Sequence, residues 1–249
     1  MRALVTGASS GIGREFAIIL DNLGYDVIIV ARRREKLEEL KNILKNETRI
    51  YTADLSVREE CFRLFSAFPD IDILINNAGC GVFGGFSETD TEKELSMLDI
   101  NISATHILMK LYLNEFKKKN KGYILNIASS AAFFSGPLFS SYYASKAYVY
   151  RLTKAVSYEL KKNKSRVSVS VACPGPVNTG FNEKAGVNAG VGACSAESVA
   201  KYCIGKMFRK KTVITPGLPT KFTRFISKIL PDCINQRFVY SLQKKKMKG

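Results

Sequence analysis

Short β-branched runs alternate with stretches of helical periodicity along almost the whole chain, and this alternation restricts the fold more than any other feature. The runs are "ALV", "DVIIV", "RIYTA", "DILIN", "YILNIA", "VSVSVAC" and "TVIT". Between them the helical pattern covers Gly11 to Leu23, Arg34 to Lys45, Val57 to Phe68, Glu92 to Lys119, Tyr142 to Lys162 and Ala196 to Arg209. Seven strands separated by helices predict an α/β fold built on a doubly wound parallel sheet with helices on both faces. In such sheets ligands sit beyond the carboxyl ends of the strands, so the residues just after each run are where chemistry is expected.

With 249 residues the chain can bury a large core without disulfides. No Pro/Gly/Ser linker, repeat or low-complexity tract divides it, so one domain is expected over 1–249. The six cysteines (Cys61, Cys80, Cys173, Cys194, Cys203, Cys233) have no C-x-x-C spacing and read as reduced thiols. The run "ALV" gives way to Thr6 and Gly7 too soon for a signal-peptide core, and a cytoplasmic location is expected. Gly122 to Ser145 is uncharged and long enough to span a bilayer. Asn126, Gly136, Pro137 and six serines argue against that.

The net charge of +16 is unevenly placed: from Lys201 onward thirteen Lys and Arg face a single acid, Asp232. Such a surface attracts polyanions in general. No nucleic-acid-binding motif accompanies the charge, so no specific nucleic-acid partner is expected.

After the first strand comes "TGASSGIG", with Gly7, Gly11 and Gly13 opening a helix. Glycines allow a tight turn there, and a helix N-terminus offers unpaired N–H groups to a pyrophosphate. The second strand ends in "IIVARRREKL", with no carboxylate near Ala31 for an adenosine ribose. Arg32 and Arg33 instead suit the 2′-phosphate of NADP(H). The alternative is that these arginines simply begin a charged helix.

The lone histidine, His106, excludes a multi-histidine zinc site, and no metal is expected. Acid/base work falls to other side chains, and "SYYASKAYVY" offers two phenols and an ammonium on one helix. Lowering a phenol from pKa ~10 to ~7 takes about 4 kcal/mol of preferential phenolate stabilisation. A close, desolvated Lys146 aided by a nicotinamide cation can supply that order of energy. Helical spacing puts both Tyr142 (i to i+4) and Tyr143 (i to i+3) beside Lys146, and does not choose between them.

Taken together, "TGASSGIG", "NNAG" (Asn76 to Gly79), Asn101, Ser129, "YYASK" and "PGPVNT" (Pro174 to Thr179) resemble the short-chain dehydrogenases/reductases of the roughly 250-residue type. The resemblance covers nearly the whole chain and implies a Rossmann-type seven-stranded sheet. It selects Tyr142, four before Lys146, and Ser129, thirteen before Tyr142. It further implies that Tyr142 transfers the proton on the substrate oxygen, that Lys146 lowers its pKa, that Ser129 binds the carbonyl oxygen, and that Asn101 holds a water leading to Lys146.

On the cofactor side the resemblance implies contacts from Gly7, Ser9, Ser10, Gly11, Ile12 and Gly13. Arg32, Arg33, Asp54 and Leu55 would flank the adenosine. Asn77, Ala78, Gly79, Tyr142, Lys146, Pro174, Gly175, Val177 and Thr179 would complete the site. The expected activity is an NADP(H)-dependent interconversion of a carbonyl and an alcohol; the alternative is an NADP-sensing or membrane-peripheral protein of the same fold with little turnover. A homo-oligomer pairing the helices Glu92 to Lys119 and Tyr142 to Lys162 is also implied.

Phe133, Phe134, Leu138, Phe139, Val82, Phe83 and Phe86 could line an apolar substrate pocket or pack in the core. The Gly/Ala-rich segment at about 180–195 reads as a substrate lid or a passive loop. The basic extension at about 218–249, opening with "PGLP", looks like the tail of DltE-like bacterial short-chain dehydrogenases. Phe222, Phe225, Ile226 and Ile229 recur there at helical spacing among Lys221, Arg224 and Lys228, so the segment packs on its own domain or another subunit, or lies on an anionic membrane.

Overall fold

The computed structural model describes residues 1–181 and 194–247. Seven parallel strands form the sheet: β1 (Arg2–Thr6), β2 (Asp26–Ala31), β3 (Thr48–Thr52), β4 (Ile73–Asn76), β5 (Tyr123–Ile127), β6 (Ser168–Ala172) and β9 (Val213–Ile214). Their order is β3-β2-β1-β4-β5-β6-β9. Two short strands, β7 (Val177–Asn178) and β8 (Cys194–Ser195), pair separately, and the sequence pattern gave no sign of them. Strands are added outward in one direction from β1 to β3 and in the other from β4 onward, and this switch in strand order leaves a crevice at the carboxyl ends of β1 and β4.

The period of two along each strand feeds two cores. Val27, Ile29 and Ala31 of β2 join one, with Phe16 and Leu20 of α1 (Gly11–Asn22) and Val199 and Cys203 of α7 (Ala196–Phe208). Ile28 and Val30 join the other, with Leu64 of α3 (Arg58–Ala67) and Leu108, Tyr112 and Phe116 of α5 (Thr105–Lys119). Burying a side chain of the size of Leu20 or Phe16 contributes about 1.5–3 kcal/mol, and both faces of the sheet are covered by such residues.

Two helices depart from expectation for identifiable reasons. The helix expected over Arg34 to Lys45 is α2 (Arg34–Lys41). The buried Asp21 carboxylate accepts the backbone N–H of Lys45 at 3.0 Å and of Asn46 at 2.8 Å, holding that stretch as loop. The helix expected over Glu92 to Lys119 begins as α4 (Thr91–Leu98), capped by Asp90, whose carboxylate accepts the Lys93 N–H at 2.8 Å. It then widens into a π-helical turn, Asp99–Ala104, before α5. The basic tail, where the apolar residues recur at helical spacing, forms two helices, α8 (Leu218–Ile226) and α9 (Asp232–Met247), separated around Pro231.

Helix α6 (Ser140–Lys162) buries Tyr142, Ser145, Lys146, Val149 and Thr153 on one face. It is held against α4 where the Ser141 hydroxyl donates to the Glu94 carboxylate at 2.6 Å. Among the described residues no helix is long and apolar enough to cross a membrane.

Candidate active site

At the carboxyl end of β5 the chain supplies two groups. The Ile127 carbonyl accepts a hydrogen bond from Lys146 Nζ at 3.1 Å. Two residues on, Ser129 is extended and its hydroxyl accepts the Ala131 N–H at 3.2 Å, capping a 3₁₀ turn over Ser130–Phe133. Tyr142 stands on α6 above them, 8% exposed, its ring stacked on Phe139 with centroids 4.4 Å apart. Phe181 closes another side at 5.6 Å, and Lys146 Nζ lies 5.7 Å from the centre of the Tyr142 ring.

This apolar cage decides the electrostatics. Burial pushes the Tyr142 hydroxyl above the ordinary phenol range, with the Ser129 hydroxyl, as a hydrogen-bond partner, working the other way. Burial likewise pushes Lys146 down to about 8, while Cys80 and Cys173 act weakly to raise it. The expected lowering of the phenol by Lys146 is therefore not a property of the protein alone. A phenolate enclosed by Phe139 and Phe181 needs more positive charge beside it than one buried ammonium, itself pushed toward its neutral form, provides.

Asn101 sits in the π turn, 1% exposed, and its carboxamide is committed to protein groups. It accepts the Cys80 N–H at 3.1 Å, and Nδ2 donates to the Cys80 carbonyl and the Ser145 hydroxyl, both at 3.0 Å. A Cβ built on Gly79 would lie 2.7 Å from Asn101 Oδ1 and 3.2 Å from Lys146 Nζ, so only glycine lets these two groups come so near. Its hydrogen bonds thus bridge the Cys80 backbone and the Ser145 hydroxyl.

The glycine loop is equally tight. Gly7 has φ +67, and a Cβ on Gly13 would stand 2.3 Å from the Gly7 carbonyl oxygen. Asn77 holds the loop to β4, donating from Nδ2 to the Thr6 carbonyl at 3.0 Å, while the Thr6 hydroxyl accepts the N–H groups of Asn77 and Ala78. Ser10, at the N-cap of α1, gives the helix no side-chain cap, so its first N–H groups remain open to an anion.

Beyond the loop, Arg33 donates to the hydroxyls of Ser9 at 3.1 Å and Ser10 at 3.3 Å. Arg32 pairs with Asp54 at 3.4 Å. Burial opposes ionisation of Asp54, yet hydrogen bonds from Ser56 N–H and Oγ, with Arg32, hold it below the usual carboxylate range. The neighbouring Leu55 is buried in the core. Arg33, bonded to hydroxyls and not to a carboxylate, is the guanidinium better disposed to a phosphate.

One cavity of about 270 Å³ joins these parts. It runs from Gly7, Ser10, Gly11 and Ile12, past Asn77, Ala78 and Gly79, to Ser129, Tyr142 and Lys146. Pro174, Gly175, Val177 and Thr179 form the far wall. Ser9, Gly13, Arg32, Arg33, Asp54, Leu55 and Asn101 lie outside its lining. A glycine-bounded helix start with open N–H donors, at the mouth of such a cavity, is suited to the phosphate groups of a nicotinamide cofactor.

Residues 1–190 match the family model for short chain dehydrogenase. The chain belongs to that family. Among relatives of this short-chain dehydrogenase, the 3-oxoacyl-[acyl-carrier-protein] reductase FabG of Rickettsia felis is 35% identical over 182 residues, 73% of this chain and 75% of the relative. A short-chain dehydrogenase from Sphingobium yanoikuyae, solved in complex with NADPH, superposes with TM-score 0.82 at 25% identity over 91% and 92% of the two chains. One from Burkholderia phymatum, solved with NAD, gives TM-score 0.82 at 23% identity over 90% and 92%, and attests the fold.

Of the aromatic and aliphatic residues considered for the pocket of this short-chain dehydrogenase, Phe139 lines the cavity and Phe83 packs edge-on behind it at 5.4 Å. Phe133 belongs to the core against Tyr150, and Phe86 is 71% exposed. His106 shares a 2.7 Å hydrogen bond with Tyr148, outside the cavity lining. The lid expected at about 180–195 lies almost wholly outside the described residues. One lining residue carried no sequence signal at all: Gln243, on α9, reaches the cavity from the tail.

Proposed function

We propose that the protein is an NADP(H)-dependent oxidoreductase that interconverts a ketone or aldehyde and an alcohol. The observation that carries this reading is the single cavity connecting the glycine loop to Ser129, Tyr142 and Lys146. When bound, the nicotinamide gives or takes the hydride. The Tyr142 hydroxyl donates its proton to the substrate oxygen in reduction and accepts it in oxidation. The Ser129 hydroxyl holds that oxygen as charge develops on it. Lys146 binds the ribose and adds positive charge near the phenol. Asn101 keeps the backbone at Cys80 in place beside Lys146, and a water bound near it would return protons to the lysine. Arg33, with Ser9 and Ser10, supports the preference for the 2′-phosphate, and Asp54, paired with Arg32, would bind the adenine.

The subgroup we assign is the DltE-like one that the "PGLP" turn and basic tail resemble, the quaternary state a homo-oligomer, and the location the cytoplasm. The six free cysteines fit a reducing compartment. The direct experiment is a screen of ketones and aldehydes with NADPH, read by absorbance. Turnover of at least one carbonyl is expected; tight NADPH binding with no turnover of any would instead support a sensor.

A specific observation favours a second property, docking of the tail on an anionic bilayer. Phe222, Phe225 and Ile229 of α8 and its exit are 59–65% exposed, and Ile234, Phe238 and Leu242 of α9 form another outward row. Lys221, Arg224, Lys228, Arg237, Lys244 and Lys245 flank these rows. A second copy pairing there would set two strongly basic faces together, whereas anionic lipid complements both the apolar rows and the charge.

A further inference from the structure

Helix α9 presents two neighbouring stripes. Ile234, Phe238 and Leu242 face outward, while Asn235, Val239 and Gln243, each one residue later, are at most 5% exposed. Gln243 is the member that lines the cavity. Its Nε2 donates to the Tyr143 hydroxyl at 2.7 Å, and its Oε1 is buried with no hydrogen-bond partner among the described residues. A buried amide oxygen without a partner costs free energy that a ligand group can recover.

The partner tyrosine is held in place. A Cβ on Gly136 would stand 2.2 Å from the Tyr143 ring, so the glycine allows the ring to pack flat on the backbone. The Tyr143 ring is 6.3 Å from that of Tyr142 and 6.1 Å from that of Phe139. The Tyr143–Gln243 pair therefore forms a fixed polar spot on an otherwise aromatic wall, one side chain away from the group assigned to proton transfer.

From this we propose that Tyr143 and Gln243 form a subsite for a neutral hydroxyl on the substrate, separate from the carbonyl that reacts. The proposal rests on the reading of the cavity as a carbonyl-reduction site and adds to it a feature of the substrate. With one Nε2 hydrogen engaged by Tyr143, the remaining groups are an acceptor, Gln243 Oε1, and two donors, the second Nε2 hydrogen and the proton of the Tyr143 hydroxyl. A hydroxyl both donates and accepts, so it complements both. Turning the carboxamide over exchanges the roles and leaves the same complement. A carboxylate does not suit the spot, because Lys146, tied to the Ile127 carbonyl, is the one charged residue in the lining among the described residues.

The test compares isosteric ligand pairs: acetophenones bearing para hydroxymethyl or hydroxyethyl groups against those bearing para ethyl or propyl. Affinity is measured by calorimetry on the full chain with NADP+ present, so that the ketone binds without being reduced, and kcat/KM by NADPH oxidation. For the wild type at least one hydroxyl-bearing ketone should bind about tenfold more tightly than its match, the scale of one well-made hydrogen bond in a dry site. In Gln243→Leu that ratio should fall to near one, and in Tyr143→Phe it should fall part of the way. Gln243→Met supplies the same reading should the leucine variant not fold.

A wild-type ratio near one for every pair, or a ratio that survives both Gln243 variants, overturns the subsite. A ratio seen in binding without turnover retains the subsite and removes the proposed reaction. Turnover with no ratio does the reverse.

Discussion

Lys146 is costly to the fold and valuable to the site. With its pKa lowered from 10.5 to about 8, folding disfavours the charged ammonium by about 3 kcal/mol at neutral pH. The sign follows from proton counts: between about pH 8 and pH 10.5 the unfolded chain holds the proton that the folded chain has lost. The penalty is thus complete below pH 8 and fades as pH rises through that window. Lys146→Met should accordingly melt higher than the wild type at pH 7, with the gap narrowing toward pH 10, while turnover is lost; a variant that melts lower would show that the bond to Ile127 outweighs desolvation. Loss of the same charge should make kcat/KM for reduction decline above about pH 8. A flat profile to pH 10 would mean the ammonium is not needed.

At the scale of elements, the β1–α1 turn and the two tail helices carry separable predictions. Gly13→Ala would force a methyl to within 2.3 Å of the Gly7 carbonyl oxygen, so the turn must open. The expected result is loss of most NADPH affinity and destabilisation of about 1–3 kcal/mol by thermal melting, the range for overpacking. Replacing Arg32 and Arg33 together by Ala should weaken NADPH about a hundredfold and NADH severalfold at most, measured by fluorescence titration; equal losses would refute a phosphate role. For α8 and α9, cosedimentation with phosphatidylserine-containing vesicles should be strong at low salt. It should fall sharply in Phe222→Ser/Phe225→Ser/Phe238→Ser and in neutral phosphatidylcholine vesicles. Binding indifferent to both changes, or a salt-stable dimer through this face, would contradict lipid docking.

Over the whole molecule, the sheet is legible in the sequence because each strand is a short run whose alternate residues feed two cores, as Val27 and Ile28 do. The motif residues are legible because glycine at Gly7 and Gly13 and the Tyr142–Lys146 spacing answer local constraints. Tyr142 and Tyr143 are not separable by spacing, and both line the cavity; they differ in their partners, since Tyr143 turns to Gln243, 100 residues away. That contact, the engagement of Asn101 with Cys80, and the upward push on Tyr142 arise from long-range packing that no local pattern records. The break of the tail at Pro231 is readable in hindsight from the proline itself. The central claim is that Tyr142, not its neighbour, transfers the proton. The most direct measurement is kcat for the best ketone of the NADPH screen in Tyr142→Phe and Tyr143→Phe, with NADPH affinity determined for each. The account predicts a loss of about a thousandfold in Tyr142→Phe with NADPH affinity nearly kept, and a loss within about tenfold in Tyr143→Phe. Near-normal turnover by Tyr142→Phe, or abolition by Tyr143→Phe alone, would contradict it.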